Sequence, residues 1–225
     1  MDVDLAASSV WNILQRHGFD PSPGRKGLTW SEFLKAKATT MLACDFFTAD
    51  TVLLKQLYVL FFISLDTRRV FVSGITAHPT GTWVVQQARN LAYELAEGTR
   101  PVKYLIRDQD TNFRAGFDQI FRSEGIRIIR TPVRAPCANA FAERFVGTIR
   151  RECLDRMLIV NRRHLETVIG EYVEHYNGQR PHRSLGRLAP VPRQPVLEMP
   201  MDVGPSALRR TDRFGGHIQE YHLVA

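Results

Sequence analysis

Met41-Leu42-Ala43-Cys44-Asp45-Phe46-Phe47 is a nearly continuous apolar run broken by one carboxylate, and its reading decides the fold. A short apolar run without helical spacing suits a central strand covered on both faces. Working outward, Leu57-Tyr58-Val59-Leu60-Phe61-Phe62-Ile63-Ser64-Leu65 is a second such run and Val70-Phe71-Val72-Ser73-Gly74-Ile75 a third. Asp66-Thr67-Arg68-Arg69 between those two is a hairpin-sized turn. Thr82 to Glu97 has a helical pattern stopped by Gly98, and Val102 to Arg107 reads as a fourth strand. Phe113 to Ser123 is helical again, Gly125 closes it, and Ile126-Arg127-Ile128-Ile129 makes a fifth strand. This order predicts an α/β fold: a mixed five-stranded sheet, three antiparallel strands followed by alternating helices and strands, with helices on both faces. The first and fourth strands become neighbours in such a sheet.

Before the sheet, residues 8–17 read as a short helix, 19–27 as a linker, and Thr29 to Leu34 as a capped second helix. After Leu188, Pro190, Pro192 and Pro195 interrupt any element, and an ordered pattern resumes only at Gly216 to Tyr221. The expected organisation is an N-terminal helix and linker over 1–36, a core over 37–190, and a C-terminal tail over 191–225.

A chain of 225 residues, 44% hydrophobic, can bury one sizeable core with appendages. No apolar run reaches the roughly 18 to 20 residues that span a bilayer, and the acidic Met1-Asp2-Val3-Asp4 is unlike a secretory leader, so a cytoplasmic, nucleoid-associated protein without a membrane partner is expected. Three cysteines, Cys44, Cys137 and Cys153, show no paired spacing, and the seven histidines show no zinc-ligand spacing. Any metal must therefore come through oxygen ligands. The net charge is +7, carried mostly by arginine, and ten arginines from Arg144 to Arg193 crowd behind Glu143. Guanidinium pairs with phosphate through a planar fork, which suits a nucleic-acid partner; a GC-rich genome would also raise arginine content.

Three carboxylates are the candidate chemistry. Asp45 lies on the first strand, Asp108 just past the fourth, and Glu143 in the first turns of a helix, with 34 residues between the last two. An Asp at a strand end is ordinarily a turn or cap residue. Brought together, however, three carboxylates repel one another, and hard divalent cations relieve that repulsion. Asp110, in Arg107-Asp108-Gln109-Asp110-Thr111-Asn112, competes with Asp108 for the second position or caps the helix that follows. On the helix after the fifth strand, Glu143, Gly147 and Arg150 share one edge beside the apolar arc of Ala142, Phe145, Val146, Ile149 and Cys153. The approach Thr131 to Asn139 has two prolines and small residues, as a mobile active-site loop has; Arg134 could reach phosphate, and Asn139 is a helix cap or a DNA contact.

These acids, together with Tyr176-Asn177-Gly178-Gln179-Arg180-Pro181-His182, resemble the catalytic core of DDE transposases and retroviral-type integrases, nearest to the bacterial insertion-sequence branch, over residues 37–190. The resemblance implies a ribonuclease H-like fold. It implies Asp45, Asp108 and Glu143 as catalytic residues and ligands of Mg2+ or Mn2+, two ions in all. It also implies DNA contacts from Arg134, Asn139, Arg150, Arg151, Arg180 and His182, the last two either on DNA or locking their helix to the core. The Asp-x-Gly of the family becomes Asp108-Gln109-Asp110 here, and Cys137 stands where Gly is common. The implied activity is metal-dependent DNA cleavage and strand transfer in transposition, by in-line attack of water and then of a DNA 3′-hydroxyl. Its partners are transposon ends and target DNA, with a homo-oligomer formed on DNA. A ribonuclease H-like nuclease and a non-catalytic DNA-binding relic are the alternatives. The helix carrying Glu143 and Arg150 argues against the first, and the intact acids against the second.

Overall fold

The computed structural model describes Arg16 and residues 30–98, 101–113, 115–131, 139–191 and 208–223. The chain divides into two compact units, 1–36 and 37–225. Of the helix expected over 8–17, only Arg16, which is helical, lies among the described residues. Helix α1 (Trp30–Lys37) ends the first unit, with the Trp30 and Phe33 rings stacked at 5.8 Å.

The second unit is built on β1 (Met41–Asp50), β2 (Gln56–Ser64), β3 (Val70–Thr76), β4 (Tyr104–Arg107) and β5 (Arg127–Arg130), in sheet order β3-β2-β1-β4-β5. The first three strands are antiparallel, and β4 and β5 run parallel to β1. This is the mixed sheet expected from the pattern of runs. Strand β1 extends beyond its apolar run because β2 pairs with it as far as Asp50↔Gln56. Helices α2 (Gly81–Glu97), α3 (Ala115–Ser123), α4 (Ala140–Glu152) and α5 (Arg162–Gly178) complete the α/β unit. Thr80 Oγ1 caps α2 by accepting from the Trp83 N–H, and Asn161 Oδ1 caps α5 by accepting from the His164 N–H.

Alternation along β1 decides which helices cover which face. Leu42 and Cys44 join Leu60 and Phe62 in a core with Val84, Ala88 and Leu91 of α2 and Phe117 and Phe121 of α3. Phe47 and Phe61 point the other way and meet Phe145 of α4, whose ring lies 4.8 Å from Phe61 and 5.1 Å from Tyr176 of α5. Asp45 has the parity of Phe47, so it faces the α4 side.

The C-terminal segment holds more structure than the sequence pattern suggested: β6 (Leu208–Arg213) and β7 (Ile218–Leu223) form an antiparallel hairpin. Strand β6, Leu-Arg-Arg-Thr-Asp-Arg, lacks the alternation of a half-buried strand and is fixed by polar contacts instead. Glu220, 4% exposed, bonds His175 of α5 at 2.7 Å and Arg213 at 2.8 Å. Among the described residues no helix is long and apolar enough to cross a membrane.

Candidate active site

The parallel register of β1 on β4, Met41↔Tyr104 through Ala43↔Ile106, continued by two residues, sets Asp45 opposite Asp108. Side chains at matched register on neighbouring strands share a face, with backbones roughly 4.8 Å apart. Two carboxylates distant in sequence are thus neighbours by strand order alone. Both are half-buried. Burial, first, and the charge of Asp108, next, push the Asp45 carboxyl up to about 7; Asp110 and Glu143 add to this, while the Phe46 N–H, donating to Asp45 Oδ1 at 2.8 Å, opposes it. Asp108 is raised in the same sense, chiefly by burial.

Glu143 is exposed in the first turn of α4 and is the last of the neighbours acting on Asp45. The start of α4 is held from two sides. The Arg68 guanidinium stacks 4.1 Å over the Phe141 ring. Asn139, the residue before the helix, does not cap it: its Nδ2 donates to Asp45 Oδ2 at 3.2 Å and to the Cys44 carbonyl at 3.4 Å. Asn139 is 5% exposed, and its Oδ1 is buried without a hydrogen-bond partner. It therefore belongs to the acid site as a residue behind Asp45.

The turn after β4 carries both candidates for the second acid. Asp108 Oδ1 accepts from the Asp110 N–H at 3.0 Å, and Asp110 Oδ1 accepts from the Asn112 N–H at 2.8 Å. Each of the two thus accepts one backbone N–H of the turn leading to α3, and Asp108 also holds the register position beside Asp45. Arg107, with the opposite parity, goes beneath the sheet. Its Nε and Nη2 reach both carboxylate oxygens of the fully buried Asp118 at 2.8 and 2.9 Å, and its Nη1 donates to the Asp108 carbonyl at 2.7 Å. Arg130 joins the same carboxylate. This buried pair, missed in the sequence, had one signal: an Asp between Phe117 and Phe121 on the apolar face of a helix.

Among the arginines, Arg150 lies across the strand, donating to the Thr48 carbonyl at 2.9 Å three residues beyond Asp45. Arg151 is exposed, with its guanidinium over Gly147, where an added Cβ would stand 3.0 Å from Nη1. Arg180 makes a two-armed ion pair with Glu152, at 3.0 and 2.7 Å, and the Tyr172 hydroxyl donates to the same carboxylate at 2.8 Å. The His182 ring stands edge-on to Tyr176 at 4.8 Å, and burial, with the charge of Arg180, holds its pKa below the ordinary value. Asn177 accepts from the Val70 N–H and donates to the Val70 carbonyl, both at 2.9 Å, clasping the edge strand β3. The contacts of Arg180 and His182 are thus those of a lock on the end of α5. Arg134 and Cys137 lie outside the described residues.

Residues 124–190, from the end of α3 past the Asn177-to-His182 segment, match the integrase core domain family. The match includes Glu143 and excludes Asp45 and Asp108. The chain is 34% identical over 84 residues to an uncharacterized 31.7 kDa protein of insertion element IS407 from Burkholderia multivorans, covering 37% of this chain and 30% of that protein. It is 35% identical over 91 residues to the transposase InsD of insertion element IS2D from Escherichia coli, covering 40% and 30% respectively. The chain thus spans about a third of the curated relatives it matches. In fold it is similar to a chain of the simian T-cell lymphotropic virus intasome in complex with PP2A regulatory subunit B56 gamma, with a TM-score of 0.54 at 12% identity over 79% of this chain and 64% of that one. The fold is ribonuclease H-like.

Proposed function

We propose that the second unit is the catalytic core of a DNA transposase, cutting DNA and joining its 3′ ends to a target. The observation that carries this reading is the pairing of Asp45 with Asp108 at matched register, on the face over which α4 presents Glu143. Both aspartates are half-buried and raised, chiefly by burial, and a divalent cation beside them would relieve the cost of their charge. Among the described residues no three His, Cys, Asp or Glu side chains already form a metal-holding cluster. The two aspartates supply hard oxygen donors suited to Mg2+ or Mn2+, and Glu143 is the candidate for the third position. Bound there, such ions supply an activated oxygen nucleophile and a stabilised leaving oxygen at a phosphodiester.

The chain's own residues do the rest. Asn139 holds the Asp45 carboxylate in one orientation, and the Arg107–Asp118 pair anchors the end of β4 from which Asp108 projects. Arg150 and Arg151 place positive charge along α4 beyond the acids, where a phosphate backbone leaving the site would pass. Target joining, two DNA ends and a multimer on DNA follow from the likeness to insertion-element transposases.

The test is strand transfer with precleaved DNA ends from the sequence flanking the gene, in Mg2+ and Mn2+, with Glu143→Gln as control. Joined products from the wild type alone support the reading. Hydrolysis without joining favours a nuclease on the same acids. A Glu143→Gln protein that still joins DNA removes Glu143 from the site.

A further inference from the structure

Several of the arginines behind Glu143 are engaged within the chain: Arg180 on Glu152, Arg162 on Glu166 and Arg150 on the Thr48 carbonyl. Arg144, Arg183 and Arg187 are exposed, and none of the three is in an ion pair among the described residues. Two of them gather about Arg68 of the β2–β3 turn. The Arg68 guanidinium stacks on Phe141 of α4, its Nε donates to Ser184 Oγ at 3.3 Å, and its Nη1 donates to the Leu65 carbonyl at 2.7 Å. One side chain thus ties that turn to the start of α4 and to the turn after α5. Arg144 stands three residues from Phe141 on the same face of α4, and Arg183 precedes Ser184. Both acceptors of Arg68 are neutral. Burial, first, and the charge of Arg144 lower its guanidinium from the ordinary value, while Tyr176 and Asp66 act the other way. Guanidiniums held together repel, and a shared anion relieves the repulsion. The backbone is strained here as well: Arg68 has φ 65° and Arg187 φ 70°, left-handed conformations costing roughly 1–2 kcal/mol each. Arginine in place of glycine in two abutting turns points to a use for the side chains.

We propose that Arg68, Arg144 and Arg183 form a cradle for a DNA backbone phosphate, on the side of the acids opposite Arg150 and Arg151. Strand β1 is the ruler. Arg150 bonds Thr48, three residues from Asp45 in one direction; Leu65, where the β2–β3 turn begins, bonds the Met41 carbonyl at 3.1 Å, four residues away in the other. At the rise of a strand these points lie roughly 10 and 13 Å from Asp45. One DNA strand advances about 3.4 Å per nucleotide, so DNA seated on the acids meets the cradle about four nucleotides from the scissile phosphate. Guanidinium forks grip phosphate without reading bases. The cradle therefore sets the register of the DNA on the acids and not the choice of sequence. It rests on the transposase reading for the identity of its ligand, and adds the path which that DNA takes.

The test is fluorescence anisotropy of the full chain on a labelled duplex across a range of salt. It compares the wild type with Arg144→Ala/Arg183→Ala and with Arg89→Ala, which removes an exposed arginine of α2 on the other face of the sheet. In the double variant the slope of log affinity against log salt should fall by about two, with the melting temperature unchanged because neither side chain is buried. Arg89→Ala should keep the wild-type slope. Single phosphates neutralised as methylphosphonates then locate the contact: the wild type should lose affinity about three to five nucleotides from the scissile position, and the double variant should not. Scanned separately in the end DNA and in the target, that loss assigns the cradle to whichever duplex carries it. A double variant with the wild-type slope overturns the proposal, as does an equal loss per charge in Arg89→Ala, which would mean diffuse attraction by net charge. A slope lost as expected by a protein that never joins DNA keeps the cradle and removes the transposase reading; joining with an unaltered slope does the reverse.

Discussion

Asn139 and Asp45 are joined by a 3.2 Å hydrogen bond from the side-chain amide to the carboxylate, tying the residue ahead of α4 to the middle of β1. The bond leaves Asn139 Oδ1 buried and unpartnered, a cost accepted only where the amide is needed elsewhere. Replacing Asn139 with alanine frees the Asp45 carboxylate to rotate. The expected result is Mn2+ binding about 10- to 100-fold weaker by calorimetry on the protein alone, with DNA affinity retained. An unchanged Mn2+ titration would show that Asn139 does not position the acid.

Asp45 gives a prediction in pH. Its folded-state value, about 7, lies above the unfolded 3.8, so the charged form opposes folding. The associated stability is fully present below 3.8 and is lost as pH rises through 7. Asp45→Asn should therefore melt above the wild type at pH 8, by roughly 2–4 °C per kcal/mol of repulsion relieved, and the gap should close towards pH 4. Mg2+ should raise the wild-type melting temperature at pH 8 and leave the variant nearly unmoved. Parallel melting curves across this range would mean that Asp45 is not held against its neighbours.

The Arg107–Asp118 pair predicts the opposite pH dependence. Burial raises the Asp118 carboxyl, but the hydrogen bonds of Arg107 and Arg130 outweigh it and leave it below the usual range. Its stabilisation is present above the unfolded value and is lost as pH falls through the folded one. Asp118→Ala strands a buried guanidinium and should cost about 3–5 kcal/mol in urea unfolding at pH 7. The penalty should shrink in acid, where the wild type loses the pair as well. Because the Arg107 side chain also holds the Asp108 carbonyl, the variant should lose metal affinity before it unfolds.

The five sheet strands could be read from the sequence because each carries its own apolar run, and strand order then brought Asp45 to Asp108. Asn139 could not be read so. A residue ahead of a helix is a cap by local logic, and its actual partner lies 94 positions away. Asp118 hid for a related reason: a charge on an amphipathic helix reads as solvated unless its partner, here at the end of β4, is known. Strand β6 was invisible because ion pairs to α5, and not an apolar face, keep it in place.

Arg180 and Arg151 separate a lock from a nucleic-acid contact. Arg180 is spent on Glu152, whose carboxyl burial raises but whose bonds from Arg180 and Tyr172 hold below the ordinary range. Arg151 is exposed, with its guanidinium over Gly147. Arg180→Ala should therefore lower the melting temperature by several degrees, as expected for about 1–3 kcal/mol lost from a charged hydrogen-bond pair, and leave the salt dependence of DNA binding unchanged. Lysine should rescue little, since it cannot make both arms. Arg151→Ala should leave the melting temperature within a degree and reduce the slope of log affinity against log salt by about one. If Arg180→Ala flattens that slope without lowering the melting temperature, the arginine faces DNA and the Glu152 pair is incidental.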